Sequence, residues 1–121
     1  MRINVEVFTR DMKGLASGFN SGNAFLDEFI KSDEAFDAGI GKTFVWVDEK
    51  RTKIIGYYNI GVDYIDTVTE KGKYKIGGSI HLNFFALSME YRGVIVDVKE
   101  DGTKIKVSDQ LFADFMSKVY M

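Results

Sequence analysis

The chain has neither cysteine nor proline among its 121 residues. The lack of cysteine excludes disulfides, thiolate metal sites and a cysteine nucleophile. Without proline, no X-Pro isomerisation should slow folding. The sequence opens with no basic-then-apolar leader, and no apolar run approaches the roughly 20 residues that a membrane helix needs. We therefore expect a cytoplasmic protein that makes no use of a membrane.

An excess of either charge is also lacking. The chain carries 16 basic and 18 acidic residues, a net charge of −2. This balance gives no overall field that would attract nucleic acid, although a local basic patch is still compatible with it. The carboxylates and the single histidine show no metal-ligand spacing, so we expect no metal site. With 45% apolar residues, a chain of this length can bury one core. We expect one domain over residues 1–121.

The pattern of apolar residues predicts the order of the elements. Alternation and β-branched or aromatic runs indicate strands at residues 3–8, 42–47, 53–62 and 77–87. Helical spacing predicts a first helix that Ser21 caps and that Gly39 and Gly41 end. A looser segment, residues 63–75, separates two of the strands, and a last helix begins near Ser108.

Residues 90–109 contain the signature of a hairpin. Val94, Val96 and Val98 alternate with other residues up to Asp101-Gly102, and alternation resumes over residues 104–107. An Asp-Gly pair between two such runs favours a tight turn. We predict that strands near 93–98 and 103–107 pair across this dipeptide.

Several aromatic residues are clustered in the predicted strands. Trp46, Tyr57 and Tyr58 could stack on a nucleic-acid base. The same residues are equally typical of paired strands in a core, and core packing is the simpler interpretation.

Residues 19–61 resemble the N-terminal half of the GNAT (N-acetyltransferase) superfamily, most closely the branch with the toxin acetyltransferases. The matching words are Ser21-Gly22, Leu26-Asp27, residues 41–45 (GKTFV) and residues 55–58 (IGYY). Residues 80–93 resemble the family's fourth strand and the entry to its cofactor loop. The resemblance implies an α/β (α+β) fold, a mostly antiparallel sheet with flanking helices. It also implies that the chain is C-terminally truncated and lacks the family's last strand-helix-strand part.

The resemblance implies acetyl-CoA as co-substrate. In the family, the fourth strand binds the pantetheine arm, and a glycine-rich loop before a helix aims its amides at the pyrophosphate. The corresponding residues here would be Phe85, Ala86 and Leu87 in the strand, Arg92 and Gly93 in the loop, and Lys106 and Ser108 at the last helix.

This sequence departs from the family in the cofactor loop. No Gly-x-Gly follows Gly93; the predicted hairpin interrupts the phosphate cradle. Ser108 could cap the last helix while Lys106 contacts a phosphate, but Asp109 at the same helix start would repel that anion. Capping alone is therefore the favoured role for Ser108.

Two residues are candidates for a general base. His81 is one of them, since imidazole is a common general base, and regular alternation would place it on one side of its strand with Ser79, Asn83, Phe85 and Leu87. Glu90 lies near the end of the same strand. A structural role is the simpler reading for either residue.

Two functions follow. One is transfer of an acetyl group from acetyl-CoA to a primary amine, weak or lost through truncation, with tRNA as a partner only by family analogy. The alternative is a non-catalytic module that associates with itself. Residues 80–87 would then leave an exposed sheet edge with Phe84 or Phe85 under-covered, and a homodimer through that edge would cover it. Alternatively, the hairpin could fold back as a substitute fifth strand, and the chain would then be tolerable as a monomer.

Overall fold

The structure is a computed structural model that describes residues 3–69 and 72–119, with the backbone alone at 62–69, 72–79 and 118–119. Its centre is a four-stranded antiparallel sheet in the order β1-β2-β3-β4. The strands are β1 (Asn4–Val7), β2 (Lys42–Val47), β3 (Ile54–Thr69) and β4 (Gly72–Leu87). The mixed α/β fold with an antiparallel sheet is confirmed.

The first helix is shorter than the sequence predicted. Helix α1 (Ala24–Lys31) begins after Asn23, whose side chain accepts a hydrogen bond from the Leu26 amide at 3.2 Å. Ser21 is therefore not the cap; its amide and hydroxyl each donate to Asp27 Oδ1 at 2.8 Å. Ser32 ends the helix and caps a 3-10 helix, Asp33–Phe36, by accepting from the Glu34 amide. The glycines at 39 and 41 lie beyond this break.

Strands β3 and β4 form one long hairpin of two 16-residue strands. The prediction of a looser segment at residues 63–75 was wrong, because most of that segment continues the two strands. Pairing of β2 with β3 ends at Lys42 and Ile60. From Gly61 to Thr69, β3 pairs within the described sheet with β4 alone, a ribbon about 30 Å long.

The predicted second hairpin is confirmed, with a different turn. Strands β5 (Ile95–Val98) and β6 (Lys104–Lys106) pair antiparallel. The loop has three residues, since Lys99 N donates to Thr103 O and Gly102 N donates to Lys99 O. Gly102 has a φ of 87°, whereas Asp101 is not left-handed. A type I turn closed by a left-handed glycine explains this geometry.

Helix α2 (Val107–Val119) follows β6 directly and covers the face of the sheet opposite α1. The core therefore has two layers. One holds Tyr57 with α1 and the N-terminal 3-10 helix Arg10–Ala16; the other holds Trp46 and Tyr58 with α2. All three aromatic side chains are fully buried, which confirms the core interpretation and excludes a stacking surface.

None of the helices in the described ranges is long and apolar enough to cross a membrane. Across residues 3–69 and 72–119, no three His, Asp or Glu side chains cluster so as to hold a metal ion.

Candidate functional site

The two candidate bases lie far apart. His81 pairs with Gly61 on β3, while the last pair of the hairpin on this side is Gly56 with Leu87. Five residues along a strand correspond to about 17 Å. Glu90 lies beyond Leu87, in a 3-10 turn at Met89–Tyr91. His81 and Glu90 therefore do not belong to one site.

Glu90 is held by an ion pair. Its carboxylate accepts a hydrogen bond from Lys53 Nζ, just before β3. This hydrogen bond is the largest cause that raises the pKa of the Lys53 ammonium above its ordinary value. Both side chains are exposed, so the pair adds little stability. A carboxylate bound in this way is a poor candidate for a base.

A β-bulge in β4 changes the position of His81. Phe84 pairs with Asn59 and Leu82 pairs with Ile60, so Asn83 is an extra residue without its own partner on β3. On the N-terminal side of the bulge, each side chain of β4 therefore points to the face opposite to the one that regular alternation predicts. His81 lies on the α1 face with Phe84, whereas Phe85 and Leu87 pack on the α2 face. The prediction that His81, Phe85 and Leu87 share one side was wrong because it assumed regular alternation.

A chain of polar side chains crosses the α1 face beside the bulge. Thr43 Oγ1 donates to Ala35 O at 2.8 Å, and Asn59 Nδ2 donates to Thr43 Oγ1 at 2.9 Å. Asn83 Nδ2 donates to Asn59 Oδ1 at 2.8 Å and to Ile40 O at 2.9 Å. Asn59 and Thr43 are buried. Three polar residues inside otherwise apolar strands were the available sequence signal, and sequence reasoning missed it.

A cavity of about 480 Å³ lies at the end of this polar chain. Residues 38–41 form one wall, and Gly61, His81, Leu82 and Asn83 form the other. His81 is exposed there. A neighbouring cavity of about 490 Å³, lined mainly by apolar side chains such as Phe8 and Phe36, shares Ala38 and Gly41 with it.

The three candidate residues of the cofactor strand are covered on their side-chain faces. Phe85 packs edge-on against Phe115 of α2, with ring centroids 5.7 Å apart. Leu87 packs in the same layer, and Ala86 is buried on the α1 face. Only the outer backbone edge of β4 is left for a ligand.

The loop after β4 uses its amides internally. Ser88 N donates to Ile55 O, and Met89 N donates to Asn20 O, each at 2.8 Å. The amides of Tyr91, Arg92 and Val94 donate to carbonyls three residues earlier, at 3.0 to 3.2 Å. These amides cannot also point at a phosphate.

The Arg92 side chain is committed as well. Its guanidinium donates to Ser21 O at 2.5 Å and so ties the loop to the start of α1. Gly93, Lys106 and Ser108 do come together, because Val107 N donates to Val94 O at 2.8 Å. Ser108 lies inside the first turn of α2, one residue after its start, so the prediction that it caps the helix was wrong.

The described residues therefore do not fit the pyrophosphate of acetyl-CoA. Five amides of the loop donate within the chain, Arg92 is bound to Ser21 O, and Asp109 lies exposed in the first turn of α2. Of the cavities that stand out in the described part of the chain, none is lined by any of the seven predicted cofactor residues.

Comparison with known proteins places the fold. No protein-family model matches the sequence, and no curated protein is significantly similar to it. Solved structures do match. AtaTR bound with AcCoA aligns over 97% of this chain and 67% of its own, with a TM-score of 0.65 and 18% identity.

Two further structures agree. The KacTA-DNA complex aligns over 98% of this chain and 65% of its own, with a TM-score of 0.64 and 18% identity. AtaT complexed with acetyl-methionyl-tRNAfMet aligns over 98% and 69%, with a TM-score of 0.62 and 18% identity. The chain thus spans about two thirds of the length of these proteins. The predicted resemblance is confirmed at the level of structure: the chain has the GNAT-like fold of the AtaT and KacT toxin acetyltransferases.

Proposed function

We propose that this chain is a single-domain, acetyltransferase-like protein that by itself transfers acetyl groups from acetyl-CoA to a primary amine weakly or not at all. The fold it shares with AtaT, whose complex contains AcCoA, supports the acetyltransferase origin. The observation that carries the loss of activity is the loop after β4, whose amides donate within the chain.

The energetic deficit is large. A phosphate-binding loop supplies several charge-assisted hydrogen bonds, each worth roughly 1.5 to 3 kcal/mol. Losing two or three of them weakens binding by a factor of about a hundred or more, since every 1.4 kcal/mol is about tenfold.

Calorimetric titration of the full chain with acetyl-CoA tests this proposal. We expect no submillimolar binding. A second arm uses dephospho-CoA and pantetheine, which lack some or all of the phosphates. If the strand edge still holds the pantetheine arm, all three compounds should bind equally weakly. Submillimolar affinity for acetyl-CoA, lost with pantetheine, would contradict the proposal because it would require a working cradle.

Residual transfer, where detected, should depend on His81 and not on Glu90. His81 lines a cavity, whereas the Glu90 carboxylate is paired with Lys53. Replacing His81 by Gln should remove residual activity, and Glu90→Gln should leave it nearly unchanged. The reverse result would indicate that Glu90, and not His81, acts as the general base.

The chemical class of the acceptor amine is left open. Transfer RNA is considered as an acceptor only because AtaT forms a complex with acetyl-methionyl-tRNAfMet. The net charge of −2 gives this chain no general attraction for nucleic acid. The lack of cysteine is compatible with a reducing compartment, and we propose a cytoplasmic location.

A second candidate function is self-association without catalysis. The described sheet ends at β4, whose outer edge has no partner strand within it. Ile80 and Leu82 on this edge are 54% and 47% exposed. The residues predicted to be under-covered, Phe84 and Phe85, are instead packed against Phe29 and Phe115. Two copies that pair through β4 would cover Ile80 and Leu82.

A further inference from the structure

We propose that the cavity between residues 38–41 and β4 binds a ligand that carries an N–H donor, and that Asn83 Oδ1 is the group that receives it. This inference goes beyond the proposed function and holds whether or not the chain transfers acetyl groups. It rests on the polar chain from Ala35 to Asn83 and on the cavity at its end.

The direction of that polar chain is fixed at its buried end. Ala35 O can only accept a hydrogen bond, so the Thr43 hydroxyl must donate its proton to this oxygen. Thr43 Oγ1 must then accept from Asn59, which turns Asn59 Nδ2 toward Thr43 and Asn59 Oδ1 toward Asn83. Asn59 is fully buried, and flipping its amide would place Asn59 Oδ1 against Thr43 Oγ1, so that two acceptors would face each other without a donor.

The same constraint orients Asn83. Its Nδ2 donates to Asn59 Oδ1 at 2.8 Å and to Ile40 O at 2.9 Å. Both N–H groups are thereby used, and Oδ1 is left as an acceptor at the outer end of the chain. Asn83 lines the cavity. The acceptor is therefore oriented before any ligand arrives, which lowers the entropy lost on binding.

The lack of a side chain at Gly61 leaves space for the Asn83 carboxamide at the cavity wall. A Cβ at Gly61 would lie 3.0 Å from Asn83 Nδ2 and 3.2 Å from Ile40 O, pressing on the hydrogen bond between them. No Lys, Arg, Asp or Glu lines this cavity. His81 is the titratable side chain in its wall. Recognition by Asn83 is thus through hydrogen bonding, and a ligand without an N–H donor would leave Asn83 Oδ1 without a partner.

The chemical class that fits is a primary carboxamide or a primary ammonium. Both offer N–H donors to a carbonyl oxygen, and neither needs a charged partner in the wall. A carboxylate is disfavoured, because it would place its oxygens against Asn83 Oδ1.

Titrations followed by NMR of the Asn83 side-chain amide test the inference with two matched pairs of probes. Acetamide is compared with N,N-dimethylacetamide, which keeps the carbonyl but has no N–H. Propylammonium is compared with tetramethylammonium, which keeps the charge but has no N–H. We expect saturable shifts at Asn83 and Gly61 with at least one N–H probe and none with its methylated counterpart. The pair that responds identifies the ligand class. Equal responses within both pairs, or no response to either N–H probe, would overturn the inference.

A variant pair away from the cavity wall tests the preorientation. Thr43→Val removes the hydroxyl that fixes the Asn59 amide, whereas Thr43→Ser keeps it. We expect Thr43→Val to weaken binding of the responsive probe about fivefold, the loss of part of one hydrogen bond, with Thr43→Ser near the original affinity. Gly61→Ala should also weaken binding, because its Cβ would press on the hydrogen bond that orients Asn83. Equal affinity of the Val and Ser variants, both folded by circular dichroism, would contradict the fixed orientation of Asn83.

Discussion

Neighbouring residues of β3 have opposite hydrogen-bonding environments. Tyr57 faces α1, and its hydroxyl donates to Leu26 O at 2.6 Å. Tyr58 faces α2, and its hydroxyl is buried without a partner in the described structure, as is Trp46 Nε1. Burial raises the pKa of both tyrosines above the ordinary value. A buried tyrosine hydroxyl thus stabilises the layer that contains Tyr57 and destabilises the layer that contains Tyr58.

Removing each hydroxyl should therefore have opposite effects on stability. Tyr57→Phe leaves Leu26 O without its donor and should lower the free energy of unfolding by about 1 kcal/mol. Tyr58→Phe removes an unpaired buried group and should leave stability unchanged or raise it by up to about 1 kcal/mol. Urea denaturation of the two variants provides the measurement. A larger loss for Tyr58→Phe would show that its hydroxyl has a partner.

Asp48 is a further residue with a defined local role. Burial alone would raise its pKa, but hydrogen bonds from the Thr52 hydroxyl and from the Lys53 and Thr52 amides outweigh this and lower it from the ordinary 3.8. The three distances are 2.6, 3.0 and 2.7 Å. The carboxylate closes the turn between β2 and β3.

This lowered pKa makes a stability contribution that depends on pH. Since the folded value lies below the unfolded one, the contribution is complete well above pH 3.8 and is lost as pH falls through the folded pKa. Asp48→Asn should lower the free energy of unfolding by about 1 to 2 kcal/mol at pH 7. The difference from the original chain should shrink below about pH 4. A difference that stays constant in chemical denaturation down to pH 3 would refute the assignment.

At the scale of elements, helix α2 is attached through one apolar stripe. Leu111 reaches the sheet where Gly56 leaves space, and Phe115 contacts Tyr58 and Phe85 edge-on. Phe115 is 8% exposed, whereas Phe112, on the same helix, is 55% exposed. The two phenylalanines form a matched pair, one in the core and one at the surface.

Truncation of these two side chains should separate their roles. Phe115→Ala should lower the free energy of unfolding by about 3 kcal/mol through the cavity it leaves. Phe112→Ala should change it by less than about 0.5 kcal/mol, as for most surface substitutions. Thermal or urea unfolding compares them directly. Similar losses for both would mean that Phe112 is covered in solution.

The elements differ in how far the sequence predicted them. Strand β2, the second hairpin and α2 have strong local patterns, and each was predicted within about two residues. The continuation of β3 and β4 was missed because residues 63–75 are rich in charge and poor in apolar alternation. Their pairing is set by the backbone hydrogen bonds of the hairpin, which no local pattern reports.

The candidate site was less predictable than the fold. His81 was identified as a single titratable residue, but its face depended on a bulge that is defined only against the partner strand. The commitment of Arg92 to Ser21 O joins residues 71 positions apart. Such long-range hydrogen bonds leave no trace in sequence periodicity. The missing glycines indicated that the phosphate cradle is lost, but the sequence did not predict which groups bind the loop instead.

At the scale of the whole molecule, the open edge of β4 predicts self-association. A strand edge can pair with its own copy about a two-fold axis, and residues 80–87 carry no Lys, Arg, Asp or Glu that would meet a like charge there. We expect a dimer at micromolar concentration, twice the chain mass of 13.7 kDa.

A charge placed on that edge should separate the copies. Leu82→Lys should give a folded monomer, because its ammonium would be buried opposite the second copy. Val98→Lys is the control, since Val98 is 56% exposed on the second hairpin and away from β4. Sedimentation velocity measures both. A monomeric original chain, or dissociation by Val98→Lys alone, would rule out the β4 interface.

The bulge at Asn83 has a consequence for how this strand can change by insertion and deletion. Because the bulge takes up the extra residue, loss of the single codon for Asn83 would restore regular pairing, with Leu82 still opposite Ile60 and His81 still opposite Gly61. Every other side chain of β4 would keep its face, but the cavity would lose Asn83 and its hydrogen bonds to Asn59 and Ile40. A homologue could therefore retain every other residue of β4 and still lose the acceptor of the cavity, through a change that substitutes nothing.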